Sequence, residues 1–94
     1  MSKSASLRIH YTQVPDLPPD DTFAKEWAAY KRAMPRWLAE GQEGRFVLIK
    51  GDEVIGLWDT QREALDTGRE RFGMVPFMVH EILEWEPVYR QRYV

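Results

Sequence analysis

The clearest pattern in the chain is a pair of apolar runs, 45–50 and 53–58, separated by a Gly-Asp dipeptide at 51–52. A two-residue loop that begins with glycine between apolar runs is typical of a β-hairpin with a primed turn. The predicted pairs are Lys50 with Glu53, Ile49 with Val54, Leu48 with Ile55, Val47 with Gly56, and Phe46 with Leu57. One predicted face carries Phe46, Leu48, Ile55 and Leu57, and the other carries Val47, Ile49, Val54 and Trp58, with a gap at Gly56. Because both faces are apolar, we expect helices, the N-terminal strand or a second copy to cover each of them.

The first predicted helix begins near Thr22, with Asp20, Asp21 or Thr22 as its cap. A single stripe at helical spacing follows, formed by Phe23, Trp27, Tyr30, Met34, Trp37 and Leu38. Pro35 lies inside this pattern, so we expect a kink or a short break near residues 33–35. Gly41 is placed to end the helix in the left-handed conformation.

A second predicted helix begins after Asp59 or Thr60, where Thr60 and Glu63 have the spacing of a capping box. Its apolar side consists of Ala64, Leu65, Gly68 and Phe72. Ala64 and Gly68 are small, so they allow the helix to approach a sheet closely. Gly73 is placed to end the helix.

Two further strands are predicted at 7–12, where apolar and polar residues alternate, and at 75–83, with Pro76 at its start. Prolines concentrate in the segment 14–21, which we interpret as an extended connector. The element order (β)-α-β-β-α-β predicts one small α+β domain, with a mixed three- or four-stranded sheet and helical cover. Strand 45–50 is expected between the other two core strands.

We divide the chain into an N-terminal arm with a possible strand and the proline-rich connector (1–21), a compact α+β domain (22–83) and an aromatic, arginine-bearing C-terminal tail (84–94). The chain has 94 residues, no cysteine and a formal net charge of -2. These values exclude a disulfide framework and a cysteine zinc site, and they disfavour nucleic acid as a partner. No apolar run, including 46–49, is longer than four residues, and the start lacks the apolar core of a secretory signal, so we expect a cytoplasmic protein with no membrane segment.

The segment Gly44-Arg-Phe-Val-Leu-Ile-Lys-Gly-Asp-Glu-Val-Ile-Gly-Leu-Trp-Asp-Thr60, followed by Glu63-Ala-Leu65, Arg71-Phe-Gly73 and Pro76-Phe-Met-Val79, resembles a family of short bacterial and archaeal proteins of unknown function. The likeness spans residues 23–83. It rests on the order and spacing of the motifs together. The resemblance implies a compact, stand-alone α+β domain of prokaryotic type, and it implies no activity, cofactor or catalytic residue.

Candidate chemistry in the chain is sparse. His10 and His80 are the only imidazole bases, and the three serines all lie within residues 1–6. His80 and Glu81 are neighbours on a strand and point to opposite faces, so they are poorly placed to share a metal ion. His10 would approach His80 if strand 7–12 paired with strand 76–83. The sequence therefore predicts no catalytic constellation, metal site or cofactor, and an enzymatic role stays open but disfavoured.

The tail is the one segment with the composition of a binding surface. Aromatic and arginine side chains are enriched at binding hot spots, and here they are Trp85, Tyr89, Arg90, Arg92 and Tyr93. We predict a non-enzymatic interaction module that binds another copy of itself, as a homodimer or larger homo-oligomer, or another protein. One alternative is a small-ligand or enzymatic role using His80 or His10. Another is a nucleic-acid accessory factor that acts through the tail.

Overall fold

The computed structural model describes residues 7–87. Within them the strands are β1 (Arg8–His10), β2 (Phe46–Lys50), β3 (Glu53–Trp58), β4 (Met78–Glu81) and β5 (Trp85–Pro87), and the helices are α1 (Ala24–Ala39) and α2 (Gln61–Phe72). Strands β3, β2 and β4 form a three-stranded sheet, and β1 pairs with β5 in a separate two-stranded ribbon. The fold is a small α+β domain, as the sequence predicts.

Strand β2 is the centre of the three-stranded sheet, in the position expected for 45–50. It runs antiparallel to both β3 and β4. Consequently β3 and β4 run in the same direction without being neighbours, and α2 connects them. Every hydrogen-bonded strand pair between residues 7 and 87 is antiparallel, so the sheet differs from the expected mixed one.

Both faces of β2 are covered, which confirms the expectation drawn from its apolar pattern. Val47, Leu48 and Ile49 are all 0% exposed. Val47 and Ile49 point to one face, where α1 packs against them through Ala29, Tyr30, Met34 and Trp37. Leu48 points to the opposite face because side chains alternate along a strand. There α2 contacts all three strands, and its Ala64 is fully buried.

The hairpin register differs from the prediction beyond its first two pairs. Gly51 adopts φ +64°, and the pairs next to the loop are Lys50 with Glu53 and Ile49 with Val54, as expected. A bulge then leaves Ile55 as an extra residue, so the remaining pairs are Leu48 with Gly56, Val47 with Leu57 and Phe46 with Trp58. The predicted pairings of these three β2 residues are therefore wrong. Because the bulge shifts the alternation by one residue, Leu57 joins the α1 face and Trp58 joins the α2 face.

Helix α1 differs from the prediction at its start and at Pro35. It begins at Ala24, because Asp21 accepts the backbone N–H of Phe23 (2.9 Å) in a turn just before the helix. The helix continues through Pro35 without the predicted break. Pro35 is exposed, so the carbonyl that loses its hydrogen bond, four residues earlier, lies on the side of the helix where water can replace the donor. The helix ends just before Gly41, which adopts the predicted left-handed conformation with φ +73°.

Helix α2 begins and ends where the sequence predicts. The Thr60 hydroxyl accepts the backbone N–H of Glu63 (3.2 Å) and donates to the Glu63 carboxylate (3.1 Å). Gly73 adopts φ +59° and its N–H donates to the Arg69 carbonyl (2.9 Å). The residue types at both ends therefore carried enough information to fix this helix.

The ribbon joins segments that the sequence assigns to the arm and to the tail. Ile9 pairs with Glu86, and His10 pairs with Trp85. The predicted strand 7–12 is reduced to β1, because residues 11–13 form a 3-10 turn, and the predicted strand 75–83 is reduced to β4. The hypothesis that 7–12 pairs with 76–83 is wrong, since the partner of β1 is β5.

The contact between Gly68 and Phe77 gives a test of how α2 packs. A Cβ atom on Gly68 would overlap the Phe77 ring. We expect Gly68→Ala to lower the free energy of unfolding by up to about 2 kcal/mol, because an overpacking cost of about 1–3 kcal/mol exceeds the ~1 kcal/mol gain in helix propensity. In a Phe77→Ala background, which removes the overlapping ring, the same change should be neutral or stabilising. Urea unfolding of the four proteins measures both effects, and a Gly68→Ala protein more stable than the parent would contradict this packing.

Candidate functional site

A groove of about 730 Å³ opens along β4, and we call it the edge groove. Its size falls within the range of pockets that hold ligands, about 300–1,000 Å³. Strand β4 is an edge strand, because β2 is its sheet neighbour and no second neighbour lies among residues 7–87. The groove is lined by Ile9, Val14, Pro15, Trp27, Phe46, Gln61, Val79, His80, Glu81, Leu83, Glu86 and Pro87.

The backbone of β4 presents hydrogen-bonding groups to this groove. Ile82 exchanges hydrogen bonds with the Gly44–Arg45 segment before β2, donating to the Arg45 carbonyl and accepting from the Gly44 N–H, both at 2.8 Å. The backbone groups of Ile82 therefore face the β2 side of the sheet. Since these groups alternate in direction along an antiparallel pair, those of Val79 and Glu81 face away from β2. The Glu81 carbonyl lies 3.2 Å from the Tyr30 hydroxyl, whereas the N–H and C=O of Val79 face the open edge with no hydrogen-bond partner among residues 7–87.

The inner end of the groove contains a buried polar cluster, which we define as Tyr30, His80 and Glu86. The Tyr30 hydroxyl donates to the Glu86 carboxylate at 2.7 Å, and His80 Nε2 lies 3.0 Å from the other carboxylate oxygen. Tyr30 is fully buried and Glu86 is 5% exposed. Each member comes from a different element, α1, β4 or β5, so the cluster ties the ribbon to the helix and the sheet.

The Tyr30 phenol is held in its protonated form. Burial raises the pKa of Tyr30 well above its ordinary value, and the hydrogen bond to the Glu86 carboxylate raises the pKa further. A neutral phenol donates to Glu86, while its oxygen accepts the N–H of Leu83 (3.2 Å). The same hydroxyl thus holds the backbone on both sides of Ile82.

The pair of His80 and Glu86 determines what this site can do chemically. Glu86 is best satisfied when His80 carries a hydrogen on Nε2, which leaves Nδ1 of a neutral ring as a hydrogen-bond acceptor. The His80 side chain is 30% exposed and lines the groove. Such a pair can accept a hydrogen bond from a bound molecule.

Trp27 contributes an aromatic wall and an unpartnered donor. Its ring stacks on Tyr30 with the centroids 5.0 Å apart, and it stands perpendicular to His80 at 5.2 Å. The indole Nε1–H is buried and has no hydrogen-bond acceptor among residues 7–87. An unsatisfied buried donor costs about 1–3 kcal/mol, so an occupant of the groove could stabilise the site by supplying an acceptor.

The structure does not bring the two histidines together in one site. His80 lines the groove, whereas His10 lies on the other face of the ribbon, where Nε2 is 3.1 Å from Glu84 and Nδ1 is 2.7 Å from the Thr12 hydroxyl. His80 and Glu81 point to opposite faces of the sheet, as expected. Within residues 7–87, no group of three or more metal-ligating side chains is placed to hold a metal ion.

Of the predicted interaction surface, only Trp85 lies in the part of the chain that the structure describes. It is 50% exposed on the outer face of the ribbon, with its ring edge-on to His10 at 4.9 Å. Tyr89, Arg90, Arg92 and Tyr93 lie outside the described residues, and their role stays a prediction.

Sequence reasoning missed Glu86 and Trp27 as site residues. Trp27 is part of the helical stripe, and nothing in its spacing separates a groove wall from the core. Glu86 lies within the predicted C-terminal tail (84–94) and is not among its predicted interaction residues. A signal did exist in Tyr30, because a buried tyrosine hydroxyl usually has a polar partner.

Comparisons of the chain with protein-family models, with curated proteins and with solved structures found no match in any of the three. The resemblance described from the sequence motifs therefore stays a prediction. Neither α1 nor α2 is long and apolar enough to cross a lipid bilayer, and they are the α-helices of residues 7–87.

The hydroxyl of Tyr30 should account for a measurable part of the stability. We expect Tyr30→Phe to lower the free energy of unfolding by about 1–3 kcal/mol, because Glu86 and the Leu83 N–H each lose a partner in a buried site. Tyr11→Phe is the matched control, since Tyr11 is also buried but its hydroxyl makes no hydrogen bond within residues 7–87. Equal losses in the two variants, measured by thermal or urea unfolding, would argue against the polar cluster.

The raised pKa of Tyr30 also predicts how stability depends on pH. The unfolded phenol ionises near pH 10 while the folded phenol keeps its proton, so the folded state binds more protons at high pH. The contribution of Tyr30 to the free energy of unfolding is therefore fully present below about pH 10. Above that pH it falls by up to about 1.4 kcal/mol per pH unit. Tyr30→Phe should show a shallower loss between pH 9 and pH 11. Parallel stability curves for the two proteins would contradict the assignment.

Proposed function

We propose that the protein is a non-enzymatic interaction module that binds an extended peptide segment in the edge groove. The observation that carries this proposal is the pair of outward-facing backbone groups of Val79, set in a groove with apolar walls. Extended peptides bind such edges by adding a strand, in which backbone hydrogen bonds give affinity and flanking pockets read alternate side chains. The cysteine-free composition suits a reducing compartment, and we propose that the protein works in the cytoplasm.

The charge of the groove favours a segment that carries a cationic side chain. Among the described residues that line it, Glu81 and Glu86 are acidic and none is Lys or Arg. Glu86 already accepts hydrogen bonds from Tyr30 and His80, whereas the structure gives the Glu81 side chain no ion pair within residues 7–87. Glu81 is therefore the carboxylate that can pair with a bound arginine or lysine.

A pair of short peptides tests this function. We expect Val-Arg-Val-Arg-Val to bind the full chain and Val-Glu-Val-Glu-Val to bind at least about tenfold more weakly, because Glu81 attracts one and repels the other. At protein concentrations where the chain is monomeric, nuclear magnetic resonance should show slower amide hydrogen exchange at Val79 and a shift of the Trp27 indole N–H when the first peptide is added.

Two variants separate binding at the groove from general attraction between charges. Glu81→Lys should lower the affinity for the cationic peptide by about tenfold or more. Glu70→Lys, at an exposed site on α2, should change that affinity by no more than about twofold. Equal losses in the two variants, or no protection of the Val79 amide, would contradict strand addition at β4.

A small molecule is the second candidate occupant, and the His80–Glu86 pair is the observation that favours it. The His80 ring stands beside an aromatic wall, and its Nδ1 can accept a hydrogen bond from a mainly apolar ligand with one donor group. The use of p-cresol as a second probe separates the two candidates. If p-cresol shifts His80 and Trp27 as strongly as the cationic peptide does, without protecting the Val79 amide, the small-molecule function is favoured.

A further inference from the structure

We propose that the edge groove is occupied by residues 88–94 of a second copy of the chain, added as a strand alongside β4. This inference rests on the proposed function, and it names the partner. The described chain ends at Pro87, which itself lines the groove, and the following residues are Val-Tyr-Arg-Gln-Arg-Tyr-Val. Each copy therefore carries a groove and, directly after it in sequence, a segment with the composition of a groove ligand.

The length of this segment suits an exchange between copies. Four residues of β4 offer an edge of about 13 Å, and seven extended residues span about 23 Å. The segment can therefore cross the whole edge of a partner and still leave two or three residues to connect it with its own ribbon.

The alternation of the segment matches the two sides of the groove. Strand β4 separates the groove into a side with Trp27 and His80, on the α1 face, and a side with Glu81, on the α2 face. Side chains of an added strand alternate between the same two sides. The even positions of 88–94 include both arginines and the odd positions include both tyrosines, so one register directs the arginines to Glu81 and the tyrosines to the aromatic wall.

The charge of the segment complements that of the groove. Residues 88–94 contain two arginines and no acid, and the groove contains two acids and no Lys or Arg among its described residues. An arginine opposite Glu81 would form a charge-assisted hydrogen bond that the isolated protomer lacks within residues 7–87.

Docking of residues 88–94 in the groove of their own chain would leave the apolar surface of Trp85 exposed to water, whereas a second copy can cover it. Trp85 is 50% exposed on the ribbon face opposite the groove, and it lies two residues before Pro87, after which the segment begins. When two copies exchange segments, their ribbons are brought next to each other and this apolar surface can be covered. Because each copy gives and receives one segment, the exchange closes into a symmetric dimer.

Sedimentation of the full chain over a range of concentrations tests the exchange. We expect the parent protein to be a dimer, and we expect Glu81→Lys alone and Arg90→Glu with Arg92→Glu to raise the dimer dissociation constant by about tenfold or more. Arg69→Glu with Arg71→Glu, at exposed sites on α2, is the matched control and should leave the dimer intact. Circular dichroism and melting temperature show whether each variant is folded.

Mixing the two weakened variants gives the decisive measurement. In the mixed dimer, the arginine segment of one copy meets Glu81 and the glutamate segment of the other meets Lys at position 81, so both contacts are attractive. We expect an equimolar mixture to form dimers at concentrations where each variant alone is monomeric. The inference would be overturned if neither variant raised the dimer dissociation constant. It would also be overturned if the equimolar mixture stayed monomeric.

The result also separates this inference from the proposed function. If the parent chain is monomeric at every concentration while Val-Arg-Val-Arg-Val still protects the Val79 amide, the groove binds peptides but the second copy is not its occupant. If the parent is monomeric and the arginine changes alter the Trp27 signal, the chain's own segment fills the groove, which also overturns the exchange. If neither dimer nor peptide binding is found, both proposals fail.

Discussion

The hydroxyl group of Tyr30 is the point on which the arrangement of the remaining parts depends. It belongs to the helix that covers one face of the sheet, and it contacts the backbone after β4 and the carboxylate of Glu86 in β5. A buried carboxylate is costly without partners, so Glu86 can lie inside only because Tyr30 and His80 both satisfy it. The position of β5, and with it that of β1, therefore depends on the Tyr30 phenol on α1 together with the His80 ring on β4.

Much of the architecture could be predicted because local signals and burial agree. The loop at 51–52 places the hairpin, the Thr60 and Glu63 pair starts α2, and the apolar character of both faces of β2 anticipates a helix on each side. Two departures come from interactions that a linear pattern does not contain. The bulge at Ile55 adds one residue without changing the apolar character of the strand. Pro35 is tolerated because tertiary contacts of Met34 and Trp37 hold the helix and the affected carbonyl lies on its exposed side.

The candidate site was much less predictable than the fold. Its residues come from positions as distant as 27, 80 and 86, and the contacts among them depend on the pairing of β1 with β5. The alternating pattern at 7–12 predicts a strand that includes β1, but β5 has only three residues and no alternation long enough to distinguish it from an extended loop. The sequence singled out the tail for its arginines and aromatic residues, but nothing in it identified Glu86 as the polar partner that a buried Tyr30 needs.

The ribbon joins residues that are far apart in the sequence, since the hydrogen bond from Arg8 to the Trp85 carbonyl spans 77 positions. Closing so long a loop has a high entropic cost, and two strands of three residues are marginal by themselves. The ribbon is therefore the part of the fold expected to open first by local unfolding, while the hairpin and its helices persist. Opening of the ribbon would remove one wall of the edge groove. Binding of an occupant in the groove and pairing of β1 with β5 are therefore linked, and each favours the other.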